Sequence, residues 1–187
     1  MTNQTEKKDM LMGILDCQIS RRKFLFMGAV AISTVTLTSL LPGISFVADV
    51  ASYDGMKIGN LSDLQLGQPI DFRYPWDHPN CSSNLIKLGV PAGGGIGPQK
   101  DVVAFNTLCT HMGISLRGTY KPEYHAMGPC PAHLTTYDVT RHGIVIAGHA
   151  TQGLPQVLLE QRGDEIWATG MMGLIYGFSD NEASPST

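Results

Sequence analysis

Two short stretches carry the residue types of a redox metal centre: Cys109-Thr110-His111-Met112-Gly113 and Gly128-Pro129-Cys130-Pro131-Ala132-His133. Each supplies one thiol and one imidazole, as Cys-x-His in the first and Cys-x-x-His in the second, with 18 residues from Met112 to Pro129 between them. Two thiolates and two neutral imidazoles suit a 2Fe–2S centre in which Cys109 and Cys130 hold one iron and His111 and His133 the other. Nitrogen in place of anionic sulfur leaves such a centre less negative, so it accepts an electron more readily than an all-cysteine one. The rival chemistry is a structural zinc site. Zinc sites tend to pair like with like, two cysteines and then two histidines, whereas here each stretch is mixed and one residue separates the first pair. A further alternative is four unrelated residues in two turns.

The other candidates are weaker. His78, His142 and His149 have no partner at ligand spacing and are expected to be structural or exposed, and His125 is set aside on the same ground. Cys81, in the polar run Asn80-Cys81-Ser82-Ser83, is expected to be a free thiol in a loop. The turn Gly93-Gly94-Gly95-Ile96-Gly97-Pro98 lacks the lysine and the strand-to-helix setting of a phosphate loop, which leaves a mobile hairpin connection.

The elements that position these stretches read as strands. The 187 residues, 43% hydrophobic, suffice for one domain with a packed core plus a further segment. With 21 glycines, 11 prolines and 16% charged residues, the composition favours a turn-rich all-β chain. Alternation begins near Tyr53 and continues through Ile70, Phe72 and Tyr74 and through 85–90. The run 101–106 is expected to deliver the first ligand stretch. Residues 134–138 pair with 143–147, and 156–160 with 165–169 around Arg162-Gly163-Asp164. Residues 116–127 read as irregular.

The N-terminal portion has another character. Ser20-Arg21-Arg22-Lys23-Phe24-Leu25 looks like a twin-arginine export signal, and it opens an apolar run to Leu41 diluted by serines and threonines. That route exports proteins already folded around a cofactor. The run is just long enough to span a bilayer. Residues 1–48 are therefore read as a signal or an N-terminal anchor, with membrane contact if the segment is retained, and 49–187 as a periplasmic domain. Without residues 1–48 the net charge moves from −3 to about −5, which disfavours nucleic acid and suits a basic electron carrier.

The Cys-x-His and Cys-Pro-x-His pairing resembles the binding motif of Rieske proteins. The resemblance implies an all-β Rieske fold: antiparallel sheets forming a barrel-like base, with a small inserted cluster-binding subdomain at about 105–155. It implies one Rieske-type 2Fe–2S cluster on Cys109, His111, Cys130 and His133. Thr135 matches a hydroxyl that bonds a bridging sulfide, Tyr137 matches a tyrosine that bonds the cysteine sulfur, and Pro155 falls in the loop that covers the cluster. Donors of this kind favour the reduced, more negative centre, so a potential in the positive part of the Rieske range is expected. Many Rieske proteins also tie the two loops with a disulfide. Here those positions are Ile114 and Ala132, and the cluster together with packing of Met112, Ile114 and Leu134 is expected to substitute.

Further stretches resemble the small subunit of arsenite oxidase: 60–64, 85–89, 94–98, Ala150-Thr151-Gln152-Gly153-Leu154-Pro155-Gln156 and 174–177. That resemblance implies an oxidoreductase electron-transfer subunit with no substrate chemistry of its own. Its partner would be a large catalytic subunit with a molybdopterin and a 3Fe–4S cluster, and its electron acceptor a cytochrome c or copper protein. Electrons would leave by the imidazole edges of His111 and His133, near Met112, Arg117 and Pro155. The alternatives are the Rieske subunit of a related molybdenum enzyme such as iodate reductase, and that of a cytochrome bc-type quinol oxidase.

Overall fold

The computed structural model describes residues 52–182, and the export segment read from the sequence lies outside them. Ten strands follow in order: β1 (Ser52–Asn60), β2 (Ile70–Arg73), β3 (Ser82–Lys87), β4 (Val102–Asn106), β5 (Tyr120–Lys121), β6 (Ala126–Met127), β7 (Thr136–Asp138), β8 (Ile144–Ala147), β9 (Gln156–Arg162) and β10 (Glu165–Met172). They form a six-stranded sheet of order β1-β10-β9-β4-β3-β2 and a four-stranded sheet of order β5-β6-β7-β8. Every ladder between named strands is antiparallel. The expected all-β class is what the described residues form.

The chain between β4 and β9 builds the whole second sheet. Yet β4 and β9 are neighbours in the first, with Ala104 opposite Val157 and Phe105 opposite Gln156. The small sheet is thus an excursion from one strand that returns to the next.

Two cores result, and β3 and β4 are the wall between them. Side chains alternate across a strand, so Leu85, Val102 and Ala104 enter a base core with Tyr74, Val157, Ile166 and Ile175. Ile86, Val103 and Phe105 enter a second core with Leu116, Met127, Tyr137, Val139, Leu154, Cys109 and Cys130. All five residues of β4 are buried, which explains why its sequence is an apolar run rather than an alternation.

Three sequence expectations need correction. Residues 116–127 are not irregular: Tyr120 pairs with Met127 and Lys121 with Ala126 in a short hairpin. Cys81 is not in an exposed polar loop. It is free, as expected, but fully buried in the base core, where burial pushes its thiol up. The glycine-rich turn is well tied down: Ala92 N–H donates to Lys100 O at 2.9 Å and Gly93 N–H to Thr140 O at 2.8 Å. Gln156 Nε2 donates to Gly93 O at 2.8 Å.

Buried phenols make the fold alkali-sensitive. The Tyr74 and Tyr120 hydroxyls are buried without a hydrogen-bond partner among the described residues. Burial, helped by nearby Glu123, pushes Tyr120 from 10.0 up to about 12, and burial pushes Tyr74 further in the same direction. A folded-state value above the unfolded one means stability is fully present below the unfolded value and lost as pH rises toward the folded one. The urea midpoint is therefore expected to be level below about pH 9 and to fall between about pH 10 and 12. Tyr120→Phe should flatten part of that slope; an unchanged slope would refute the assignment.

Candidate metal centre

Both ligand stretches fold into the same backbone turn. In the first, Cys109 N–H donates to Ile114 O at 2.8 Å and Gly113 N–H to Cys109 O at 2.8 Å. In the second, Cys130 N–H donates to Thr135 O at 2.8 Å and Leu134 N–H to Cys130 O at 2.9 Å. The fifth residue of each turn has positive φ, +70° at Gly113 and +60° at Leu134. Glycine adopts this region freely, whereas leucine is strained there by about 1–2 kcal/mol. The second turn accepts that strain to match the first.

The four donors arrive as two pairs. Cys109 and Cys130 are each 1% exposed and lie in the same buried core. The rings of His111 and His133 lie edge to face with centroids 4.7 Å apart, half-buried and exposed respectively. Among the described residues no group of three His, Cys, Asp or Glu side chains gathers as a single-ion site. A zinc ion would need four ligands around one point. A buried thiol pair and an outer imidazole pair instead match two irons with two protein ligands each.

The sulfur environment fits as well. Burial opposes ionisation of Cys109, but the Tyr137 hydroxyl, the His111 backbone N–H, the Cys130 side chain and the Thr135 hydroxyl outweigh it and hold the thiol below its usual value. Iron ligation requires the thiolate, so the surroundings favour the form that binds. Tyr137 Oη stands 3.3 Å from Cys109 Sγ and accepts from Thr110 N–H at 3.0 Å. Thr110 Oγ1 lies 3.0 Å from Tyr137 Oη and donates to Gln152 O at 2.7 Å. A thiolate at Cys109 has no proton to give, so in that contact the tyrosine is the donor, with Thr110 Oγ1 the second acceptor within its reach. Burial and the Cys109 bond both raise the Tyr137 hydroxyl, which keeps it a donor.

A third segment reaches both turns. His149 N–H donates to Thr135 Oγ1 at 3.2 Å, and the His149 ring stands 5.8 Å from His111 and 6.2 Å from His133. Pro155 itself is buried at the entrance to β9, its carbonyl accepting from Asn106 N–H at 2.8 Å. Contact with the ligand turns is therefore made by His149 and Gln152. Arg117, expected beside the imidazoles, is ion-paired with Asp71 on β2. His125 and His142 stand outside the set, and His142 Nδ1 bonds Gln156 Oε1 at 2.8 Å.

The packing half of the expected closure of the turns is overturned. Met112, Ile114 and Leu134 are 54%, 39% and 66% exposed, too open to hold the turns together. The hydrogen bonds of Tyr137, Thr110, Gln152, His149 and Thr135 do so instead. Thr110, His149 and Gln152 were missed in the sequence. Only Thr110 left a signal, a hydroxyl between two ligands.

No family model matches the chain. The chain is 56% identical over 168 residues to iodate reductase subunit IdrB of Denitromonas iodatirespirans, covering 88% of each. It is 52% identical over 171 residues to the same subunit of Pseudomonas sp. (strain SCT), covering 90% of the chain and 88% of the relative. The chain belongs to the IdrB family. A shorter stretch of 59 residues, 32% of the chain, is 36% identical to the cytochrome bc1 complex Rieske iron-sulfur subunit of Streptomyces lividans. The soluble domain of Rieske protein II (soxF) from Sulfolobus acidocaldarius shares the fold, with a TM-score of 0.61 at 20% identity over 74% of this chain and 89% of that one.

This IdrB-family chain is thus a Rieske electron-transfer subunit of an oxidoreductase, and its cofactor is one Rieske-type 2Fe–2S cluster. The finer expectation needs amendment, since the full-length relatives found are subunits of iodate reductase rather than of arsenite oxidase.

Proposed function

We propose that this chain is the electron-transfer subunit of a periplasmic iodate reductase, with Cys109 and Cys130 holding one iron of the cluster and His111 and His133 the other. What supports the substrate is the 56% identity to an iodate reductase subunit over 88% of both chains. What supports the ligands is the buried thiol pair beneath an outer imidazole pair. The partner is a large molybdopterin subunit, which binds iodate. A cytochrome c or copper protein supplies the electrons, so the flow is inward. Export by the twin-arginine route follows from Arg21-Arg22 and from the need to fold around the cofactor before crossing.

Bound at these residues, the cluster supplies one-electron oxidation and reduction. The residues of this chain do the rest. The buried cysteines keep water from the sulfur side. His133 and His111 present imidazole edges at the surface, where a redox partner can approach. Tyr137 donates a hydrogen bond to Cys109 Sγ, and this bond strengthens as negative charge accumulates on sulfur.

Tyr137→Phe is therefore expected to lower the midpoint potential. A differential of about 1 kcal/mol for one hydrogen bond corresponds to roughly 40 mV for one electron. Redox titration followed by EPR measures it, and an unchanged potential would remove Tyr137 from the account.

The function is tested on the native complex, reduced with dithionite and then exposed to iodate or arsenate without oxygen. Loss of a Rieske EPR signal on iodate addition is expected, with arsenate inert. A signal that ignores iodate in the reduced complex, but grows when arsenite is added to the oxidised one, would reassign the complex to arsenite oxidation.

A further inference from the structure

After β10 the chain does not leave the domain but doubles back against the first ligand turn. The segment 173–181 is secured at its own ends: Asn181 Oδ1 accepts from Ile175 N–H at 3.1 Å, and Asn181 Nδ2 donates to Gly173 O at 2.8 Å. Ile175 is fully buried in the base core, and Phe178 packs on Trp76 and His78 with centroids 5.8 and 5.3 Å apart.

From this anchored segment two arms reach the first turn. The Tyr176 ring lies on the bare backbone of Gly113. A Cβ at that glycine would overlap Tyr176 Cε1 and Cδ1 and come within 3.3 Å of Cζ. The Tyr176 carbonyl accepts from Asn80 Nδ2 at 3.1 Å. The Asn80 carbonyl accepts from Asn106 Nδ2 at 2.7 Å, and Asn106 Oδ1 accepts from Leu108 N–H at 2.9 Å. The two arms grip the turn at Leu108 and at Gly113, on either side of Cys109 and His111.

The second turn has no such grip from this segment. The described cysteines are free, so no disulfide joins the turns. The outward side chains Met112 and Ile114 are exposed, so no core holds the first turn from above. We infer that residues 173–181 form a clamp that fixes the first ligand turn against the base, with Tyr176 as the positioning residue through ring contact with Gly113. The inference rests on the ligand assignment proposed above for its effect on the cluster, but not for the clamp itself.

The contact is made by the ring carbons Cδ1, Cε1 and Cζ, so the phenol oxygen is dispensable and Tyr176→Phe should behave as the unsubstituted protein. Tyr176→Ala should open the first turn selectively. Hydrogen exchange on the full-length protein reads this directly. The Cys109 and Gly113 amides should exchange at least about tenfold faster in Tyr176→Ala, while the equivalent Cys130 and Leu134 amides hold their rates. The EPR g-values of the reduced centre should shift in Tyr176→Ala and superimpose in Tyr176→Phe. Should Tyr176→Ala fail to fold, Tyr176→Leu keeps apolar bulk, loses the flat ring and tests the same contact. Equal acceleration at both turns, or none at either, would overturn the clamp. Absence of any Rieske EPR signal in the unsubstituted protein would instead sink the cluster ligation, leaving the difference between the two turns to decide the clamp.

Discussion

Cys109→Ser is expected to strip the protein of its iron, with metal content falling at least about tenfold and the Rieske EPR signal disappearing. The sulfur is 1% exposed and is held toward the thiolate by donors from Tyr137, the His111 backbone, Cys130 and Thr135. Those donors can offset burial for a thiol because its proton leaves readily. A serine hydroxyl, whose proton leaves far less readily, stays neutral in the same place and offers iron a weak ligand. His142→Ala provides the control, since His142 bonds Gln156 and stands apart from the ligand set. Iron analysis of the two variants decides the matter. Full iron in Cys109→Ser, or equal loss in both, would show that the four donors are not the cluster's ligands.

The second large effect falls at a residue with no side chain. Gly148 has φ +96°, and a Cβ there would overlap Thr135 Cα, with Thr135 N at 2.7 Å and Oγ1 at 2.8 Å. Two of those atoms are backbone of the second ligand turn and cannot rotate aside. Gly148→Ala must therefore push apart the His149 segment and the Thr135 turn, breaking the bond from His149 N–H to Thr135 Oγ1. A cost of about 2–4 kcal/mol is expected, a fall in Tm of roughly 10 °C for a domain of this size, together with partial loss of cluster. Gly118 separates strain from collision. It also has positive φ, +74°, but nothing lies within 4 Å of its virtual Cβ, so Gly118→Ala should cost only about 1 kcal/mol. If the two variants melt together, the close approach at Gly148 is not what holds the segment in place.

The four candidate donors and the strands that carry them were readable in the chain because both are local patterns. Cys109 and His111, and likewise Cys130 and His133, lie within one turn of each other, so spacing alone brings them together. Alternation marked β9 and β10 around their tight turn, and the apolar run of β4 reflects burial on both faces. Local pattern could not assign Cys81 to the base core, since its neighbours Asn80 and Ser82 are polar and only contacts from distant strands bury it. Nor could it reveal the pairing in 116–127, where strands of two residues are too short for a period to show.

What the sequence by itself determined was the chemistry: which donors exist, how they are spaced within each turn, and that a Rieske-type cluster suits them better than zinc. The tertiary structure alone decided what holds that chemistry in place. Met112, Ile114 and Leu134 were plausible packing residues until burial showed them facing outward. His149, Gln152 and Tyr176 reach the site from segments far along the chain, through a backbone amide, a carbonyl and ring carbons. Such contacts leave no spacing rule in one dimension. Ligation is set by residue type, which a sequence states outright, whereas positioning is set by the meeting of backbones, which only the folded chain brings about.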